Sequence, residues 1–300
     1  MKTSLKYLIL IVLMTPYISR AQMPHDAIYM GKNQLCVAAM YGYSSWDHYW
    51  ENTFKRENFN IGTLTTQSAM VMPAYGISKR VNVILSLPYV WTSASAGNLM
   101  GQKGVQDVSA WLKVKALQMG GFSLHGIVGG SIPIGSYVPD FMPMSIGMQC
   151  RTATLRLLAN YKHPGTGLYL TAHGSYGWRS NIKLDRDSYL SDDRLYSTNQ
   201  VKVPNVYDAA VRLGVLRKGW QTEVFAERSA CLNGDNIRRN DMPFPTNNMQ
   251  ATLVGWYGKF QPRNVGVNAR VGYVVDGQNV GQSTSYTVGL LYQISFKKKA

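Results

Sequence analysis

The feature that most constrains this chain is a two-residue alternation of apolar and polar side chains, which recurs in segments of about ten to fifteen residues along most of the sequence. Successive side chains on a β-strand point to opposite faces, so each such segment makes a strand with one greasy side and one wet side. Between Val265 and Val275, one parity carries Val265, Val267, Ala269, Val271, Tyr273 and Val275, and the other Gly266, Asn268, Arg270 and Gly272. The last segment sets Tyr286, Val288, Leu290, Tyr292, Ile294 and Phe296 against Thr287, Gly289, Gln293 and Ser295. Its greasy side is aromatic at both ends and aliphatic between them. Leu168, Leu170, Ala172, Gly174, Tyr176 and Trp178 follow a similar order. Aromatic rings favour the two membrane–water interfaces and aliphatic chains the hydrocarbon between, an ordering that a soluble sandwich has no reason to adopt.

The alternation predicts twelve strands, near residues 33–43, 61–76, 80–93, 107–118, 121–134, 146–161, 167–180, 203–217, 219–231, 246–260, 264–276 and 284–296. The connections between them alternate in length. Short ones at 77–79, 119–120, 162–166, 218 and 261–263 separate long ones near 44–60, 94–106, 135–145, 181–202, 232–245 and 277–283. Transmembrane barrels have short periplasmic turns, longer extracellular loops and an even strand number that returns both termini to one side. In lipid every backbone donor and acceptor needs an internal partner, so a spanning sheet must close on itself. The expectation is an all-β chain forming one transmembrane antiparallel up-and-down β-barrel of about twelve strands, over residues 22–300, with both termini in the periplasm.

The N-terminus fits export to that location. Lys2 and Lys6 precede an apolar run from Tyr7 to Met14, and Ser19-Arg20-Ala21 supplies small residues for cleavage before Gln22, so residues 1–21 read as a signal peptide. Past Met14 no apolar run approaches the roughly 20 residues of a membrane-spanning helix. The expected localisation is the outer membrane of a Gram-negative bacterium. The formal net charge is +15, of which Lys2, Lys6 and Arg20 leave with the signal. A basic chain invites a nucleic-acid reading, but export and the scattering of the cations among strands argue against it. Membrane lipid, lipopolysaccharide and small, partly anionic solutes are the expected partners. Cys36, Cys150 and Cys231 are far apart, without metal-ligand spacing, and read as three separate buried thiols, with a single bridge as the alternative.

Tyr75-Gly76-Ile77-Ser78-Lys79-Arg80-Val81-Asn82-Val83, followed by Leu87-Pro88-Tyr89, resembles the turn and third strand of the outer-membrane transporter family associated with the meta pathway of phenol degradation. Gly104-Val105-Gln106-Asp107-Val108, leading to Leu112-Lys113-Val114-Lys115, is similar to that family's Gly-x-x-Asp strand start. Ile132-Pro133-Ile134-Gly135 is similar to its Leu-Pro-x-Gly strand end. The resemblance covers residues 70–137 in detail and the rest by rhythm. It implies an outer-membrane channel or transporter, with hydrophobic or aromatic compounds as the suggested solutes. The chain departs from the pattern by ending in Phe296-Lys297-Lys298-Lys299-Ala300. Phe296 is expected to serve as the aromatic signal read by the barrel-assembly machinery.

If the greasy faces meet lipid, the opposite faces line the lumen. They carry Lys113, Lys115, Arg156, Arg212 and Arg270, the acids Asp107, Asp208, Glu223 and Glu227, and His125 and His173. On the same alternation Trp111 and Trp256 face inward. Opposed rows of cations and carboxylates orient small solutes, or else pair with one another and plug a narrow barrel. His173-Gly174-Ser175 is the one nucleophile–base pair that the pattern supplies, and it resembles the His-x-Ser of outer-membrane phospholipase A. That family has Asn and Gly after its Ser, where this chain has Tyr176 and Gly177, and its pair faces lipid, whereas the alternation turns this one inward. His25-Asp26 and His48, in Trp46-Asp47-His48-Tyr49, are too scattered for a metal site, and no cofactor motif occurs. The loop from Asn181 to Gln200 mixes Asp185, Asp187, Asp192 and Asp193 with Lys183, Arg186 and Arg194, and reads as solvated or bridged to lipopolysaccharide. Diffusion of a small solute through a mixed-charge lumen, without catalysis, is the expected function. A lipid-acting enzyme using His173 and Ser175, and a structural or adhesion barrel with a closed lumen, are the alternatives.

Overall fold

A computed structural model describes residues 23–239 and 241–296. The expected signal peptide and the lysine-rich tail lie outside the described residues. Twelve long strands are present: β1 (Gln34–Trp46), β2 (Leu64–Gly76), β3 (Val81–Ala94), β4 (Val108–Met119), β5 (Phe122–Ile132) and β6 (Thr152–Lys162), then β7 (Leu168–Arg179), β8 (Val206–Arg217), β9 (Trp220–Cys231), β10 (Gln250–Phe260), β11 (Val265–Gln278) and β12 (Thr284–Ser295). Each pairs antiparallel with its sequence neighbours, and β12 pairs with β1, with Gln34 opposite Ser295 and Ser45 opposite Thr284. The sheet therefore closes into a barrel without a free edge, as a transmembrane sheet requires.

The connections sort the barrel into a short-turn end and a long-loop end. At the short-turn end, Gly120 (φ 54°) and Gly219 (φ 80°) occupy the left-handed region that lets a strand reverse within two residues. The expected strand starts at 146, 203 and 246 move to Thr152, Val206 and Gln250. The displaced residues keep strand-like chemistry but pack in the loops instead. Ile146, Val203 and Thr246 are all buried there. At the long-loop end, β1 runs on past the expected residue 43 to Trp46.

The long loops are folded. The 180–205 loop contains two short ribbons, Ile182–Lys183 with Gln200–Val201 and Tyr189–Ser191 with Arg194–Tyr196. Its Ile182, Leu184, Tyr189, Val201 and Val203 bury together with Cys150. Asp193 and Asp192 of that loop pair with Arg238 of the next one, and Arg186 pairs with Asp140. The segment expected to be solvated is thus a packed layer with a core of its own.

The outward parity of the strands is apolar and exposed, including Leu157, Val211, Val224, Val288 and Leu290. Trp256 belongs to this outer face: it is 43% exposed, and its Nε1 donates to Thr222 Oγ1 at 2.8 Å. The expectation that it faces inward is corrected. Apolar residues occupy both parities of β10, as Leu253-Val254 and Trp256-Tyr257 show, and the register shifts between Thr252 and Leu253. Alternation alone therefore does not fix the side of this strand.

Candidate lumen site

The inward parity divides the lumen into two walls of different chemistry. Strands β12 and β1–β3 present Leu291, Cys36, Ala38, Met40, Met72, Ala74 and Ile84, which form one buried apolar cluster with Met30, and Met23, Met70 and Trp111 pack against it. Methionine is unbranched and polarisable, so this wall adapts to irregular shapes. Across from it, β6–β9 carry the charges, joined by Arg270 on β11, the neighbour of β12. A lumen that is polar all round, as the sequence suggested, is not what the strands build.

The charged wall consists of two ion-pair groups. Arg156 Nη2 lies 3.2 Å from both oxygens of Asp208, and His173 Nε2 lies 3.0 Å from Asp208 Oδ1. Ser175 Oγ donates to the other oxygen of the same carboxylate. Farther along, Arg212 Nη1 donates to Glu223 Oε1 at 3.1 Å and Nη2 donates to Glu227, whose second oxygen accepts from Arg270 Nη2 at 2.6 Å. Tyr169 and Gln221 complete the shell of Glu223. Pairing satisfies these charges in a low-dielectric interior, where an isolated one would be costly. The pairing is incomplete at the nitrogens. Arg156 Nε, Arg212 Nε, Arg270 Nε and His173 Nδ1 are buried with no hydrogen-bond partner among the described residues.

This geometry bears on acyl transfer. The Asp208 carboxylate accepts from both Ser175 and His173, and the serine hydroxyl is bonded to the acid rather than to the imidazole. A nucleophile needs its general base within hydrogen-bond reach. Here the base position beside Ser175 is taken by a carboxylate, and the trio faces the interior.

The third component lies ahead of the barrel strands in sequence. Residues 23–33 enter the lumen from the short-turn end. Lys113, on β4, is fully buried and donates to Asp26 Oδ1 at 2.7 Å, Ile28 O at 2.9 Å and Met23 O at 3.1 Å. Asp26 in turn accepts from the backbone N–H of Met23 at 2.7 Å and of Ile28 at 2.8 Å. The segment is folded around one ammonium group. Tyr29 stacks on His125, with ring centroids 5.3 Å apart, its hydroxyl lies 2.9 Å from His125 Nδ1, and Lys113 and Lys115 approach its face. Met23 and Met30 join the methionine wall while His25 reaches the charged wall. Burial holds the His25 imidazole well below its ordinary pKa of 6.5, and Arg212, Arg156, Arg270 and His173 push it the same way.

Eleven of the sequence-derived candidates lie along the barrel interior. Trp111 fits there because it lies against Gly129, where a Cβ would come within 2.1 Å of the indole, and Arg156 sits 5.5 Å above its ring. Asp107 lies apart, just ahead of β4 at the long-loop end, where it accepts from the Tyr137 hydroxyl. The 133–151 loop folds over that mouth, with Tyr137 and Ile146 packed on Val90 and Thr92 Oγ1 donating to Met144 O at 2.7 Å. Sequence reasoning missed Asp26, Tyr29, Tyr169, Gln221 and Lys259. The last three lie at inward parity on their strands and were readable from it, whereas Asp26 and Tyr29 lie in a stretch with no period. Among the described residues no cluster of His, Cys, Asp and Glu suits a metal ion, and the three cysteines are free and buried.

No family model and no curated protein matches the chain. Among solved structures, it is similar to an outer-membrane channel from Pseudomonas putida, with TM-score 0.71 and 16% identity over 91% of this chain and 100% of that one. It is also similar to the translocator domain of the autotransporter NalP from Neisseria meningitidis, with TM-score 0.51 and 14% identity over 89% of this chain and 90% of that one. At such identities the likeness establishes the architecture, a closed transmembrane barrel.

Proposed function

We propose that the chain is an outer-membrane channel for small solutes with an apolar body and a polar group, which travel along the seam between the methionine wall and the charged wall. The short-turn end then faces the periplasm and the long-loop end the exterior. The observation that carries the reading is the two-faced interior. A plug that served stability alone would need neither an adaptable apolar wall nor buried N–H groups left without partners opposite it. The unpaired Nε–H groups of Arg156, Arg212 and Arg270 offer hydrogen bonds to a carboxylate or phenolic oxygen, while Met40, Met70 and Met72 offer contact to a ring or short alkyl chain. Residues 23–30 are the constriction that such a solute displaces. No nucleotide motif occurs in the sequence, so the solute gradient drives the movement.

Reconstitution into planar bilayers and vesicles tests this. Conductance together with faster uptake of a small aromatic carboxylate than of a sugar of similar size is expected. Absence of both conductance and flux would falsify the channel and leave a closed structural barrel.

A further inference from the structure

The acids of the chain are sorted by position. Asp26, Asp208, Glu223 and Glu227 are in the lumen, and every other Asp or Glu lies in a long loop or beside the long-loop end. Among the described residues the connections of the short-turn end carry none. Its connections at 31–33, 77–80, 120–121, 163–167, 218–219 and 261–264 carry Lys32, Lys79, Arg80, Lys218 and Arg263, and the adjoining strand ends add Lys162 and Arg217. A recess of about 540 Å³ opens at this mouth, lined by Lys115, Lys162, Arg217, Lys218 and Lys259 and by no carboxylate. Like charges gathered at one rim attract anions and repel cations.

A second observation lies on the outer wall. An apolar hollow of about 1100 Å³ is cut into the lipid-facing surface. It follows one hydrogen-bonded row across the tilted strands, from Trp220 and Phe260 through Val267 and Leu290 to Ala39 and Val71. Small residues, Ala39, Ala69, Ala269 and Gly258, contribute to its lining. With strands about 4.8 Å apart, the row from Trp220 to Leu87 runs roughly 29 Å obliquely around the wall, rising from the first residue of β9 to the middle of β3. Trp220 and Lys259 border both the hollow and the cationic recess, so the two are continuous at the short-turn rim. There the turns at 218–219 and 261–264 are joined by Gln261 N donating to Gly219 O at 2.6 Å, which brings Lys218 and Arg263 near one another. Arg217, Lys218 and Arg263 are all exposed.

We infer that this rim holds an anionic diacyl phospholipid of the periplasmic leaflet, with its phosphate at Arg217, Lys218 and Arg263 and one acyl chain in the hollow. A free phosphate would use the cations but leave the adjoining apolar hollow unexplained. A neutral lipid would use the hollow but not the cations. The tryptophan between them suits the interface where headgroup meets chain. The inference rests on the barrel's placement in a bilayer, and it is independent of what the lumen carries.

Native mass spectrometry of the purified barrel tests it, with phosphatidylglycerol, phosphatidylcholine and inorganic phosphate as separate probes and heat-modifiable gel mobility as the check of folding. Retention of phosphatidylglycerol about tenfold or more above phosphatidylcholine is expected from three juxtaposed cations. The combined Arg217→Gln, Lys218→Gln and Arg263→Gln variant should abolish that preference. Ala39→Leu with Ala269→Leu should weaken long-chain phosphatidylglycerol while sparing its dihexanoyl form. Equal retention of the two lipids, or an undiminished preference in the triple variant, would overturn the proposal. So would binding of inorganic phosphate alone, which would make the rim a simple anion site. Bilayer conductance of the folded Ala39→Leu, Ala269→Leu variant separates failure here from failure of the channel reading, since those two residues lie on the lipid-facing side of the wall.

Discussion

The two mouths of the barrel are built on opposite principles. At the long-loop end, acids and bases mix and neutralise one another, Asp192 and Asp193 with Arg238 and Asp140 with Arg186, above a small apolar core around Tyr189 and Val201. That mouth is covered by loops that hold each other. At the short-turn end no carboxylate occurs in the connections, and the chain's own N-terminal segment closes the lumen from inside, clipped by Asp26 onto Lys113. One closure is spread over many contacts. The other hangs on one short segment, held by the Lys113 ammonium, the Tyr29–His125 stack and a few methionines, so it is the one that a ligand, a proton or a mutation can shift.

The largest effect should follow removal of that closure. Deleting residues 23–30 should raise mean single-channel conductance by about tenfold or more, as expected when a dominant occluded state is lost. An unchanged conductance would place the constriction at the 133–151 loop instead. Next comes Asp26→Asn, which leaves the Lys113 ammonium buried without its counter-ion. Breaking a buried pair in this way costs about 3–5 kcal/mol, here set against docking of the segment. Cys36 lies in the same cluster that Met23 packs against, so its thiol should label faster in this variant, measured with Cys150 and Cys231 replaced by serine.

Acidification should act on the same mouth with a smaller effect. His25 has a depressed pKa when docked among Arg212, Arg156, Arg270 and His173, and its ordinary value of 6.5 when released. The released form therefore binds more protons below pH 6.5, so docking is strongest above that pH and weakens as the pH falls through it. Open probability should rise between pH 7.5 and 5, and His25→Gln should flatten the profile. The smallest effect belongs to the other mouth. Arg238 and its partners Asp192 and Asp193 are well exposed, and such pairs are worth less than about 1 kcal/mol. Arg238→Ala should lower Tm by a few degrees at most and leave conductance unchanged.

How much of this was legible follows from where order is local. A strand between lipid and lumen repeats its environment every second residue, so Val265 to Val275 declared both its conformation and its outer face. The inward charges Arg156, Arg212, Glu223 and Glu227 could be assigned by parity alone. The pattern failed where residues were apolar for another reason. Ile146 and Val203 resembled strand residues because they are buried, but they are buried in the loop layer. Trp256 was misassigned because β10 is apolar on both parities and its register shifts. The methionine wall escaped because an apolar residue at an inward position weakens the alternation from which inwardness is inferred.

What the sequence determined by itself was the count of strands, their order, the sorting of short and long connections and the sides of most side chains, because each follows from periodicity and turn chemistry within a few residues. What only the tertiary structure decided was which side chains meet inside. Asp26 and Lys113, or His25 and Arg270, lie in different elements far apart in the chain, and no local period links them. Closure of β12 onto β1 and the return of residues 23–33 into the lumen bring them together, since a buried cation takes its carboxylate from whichever segment the fold supplies.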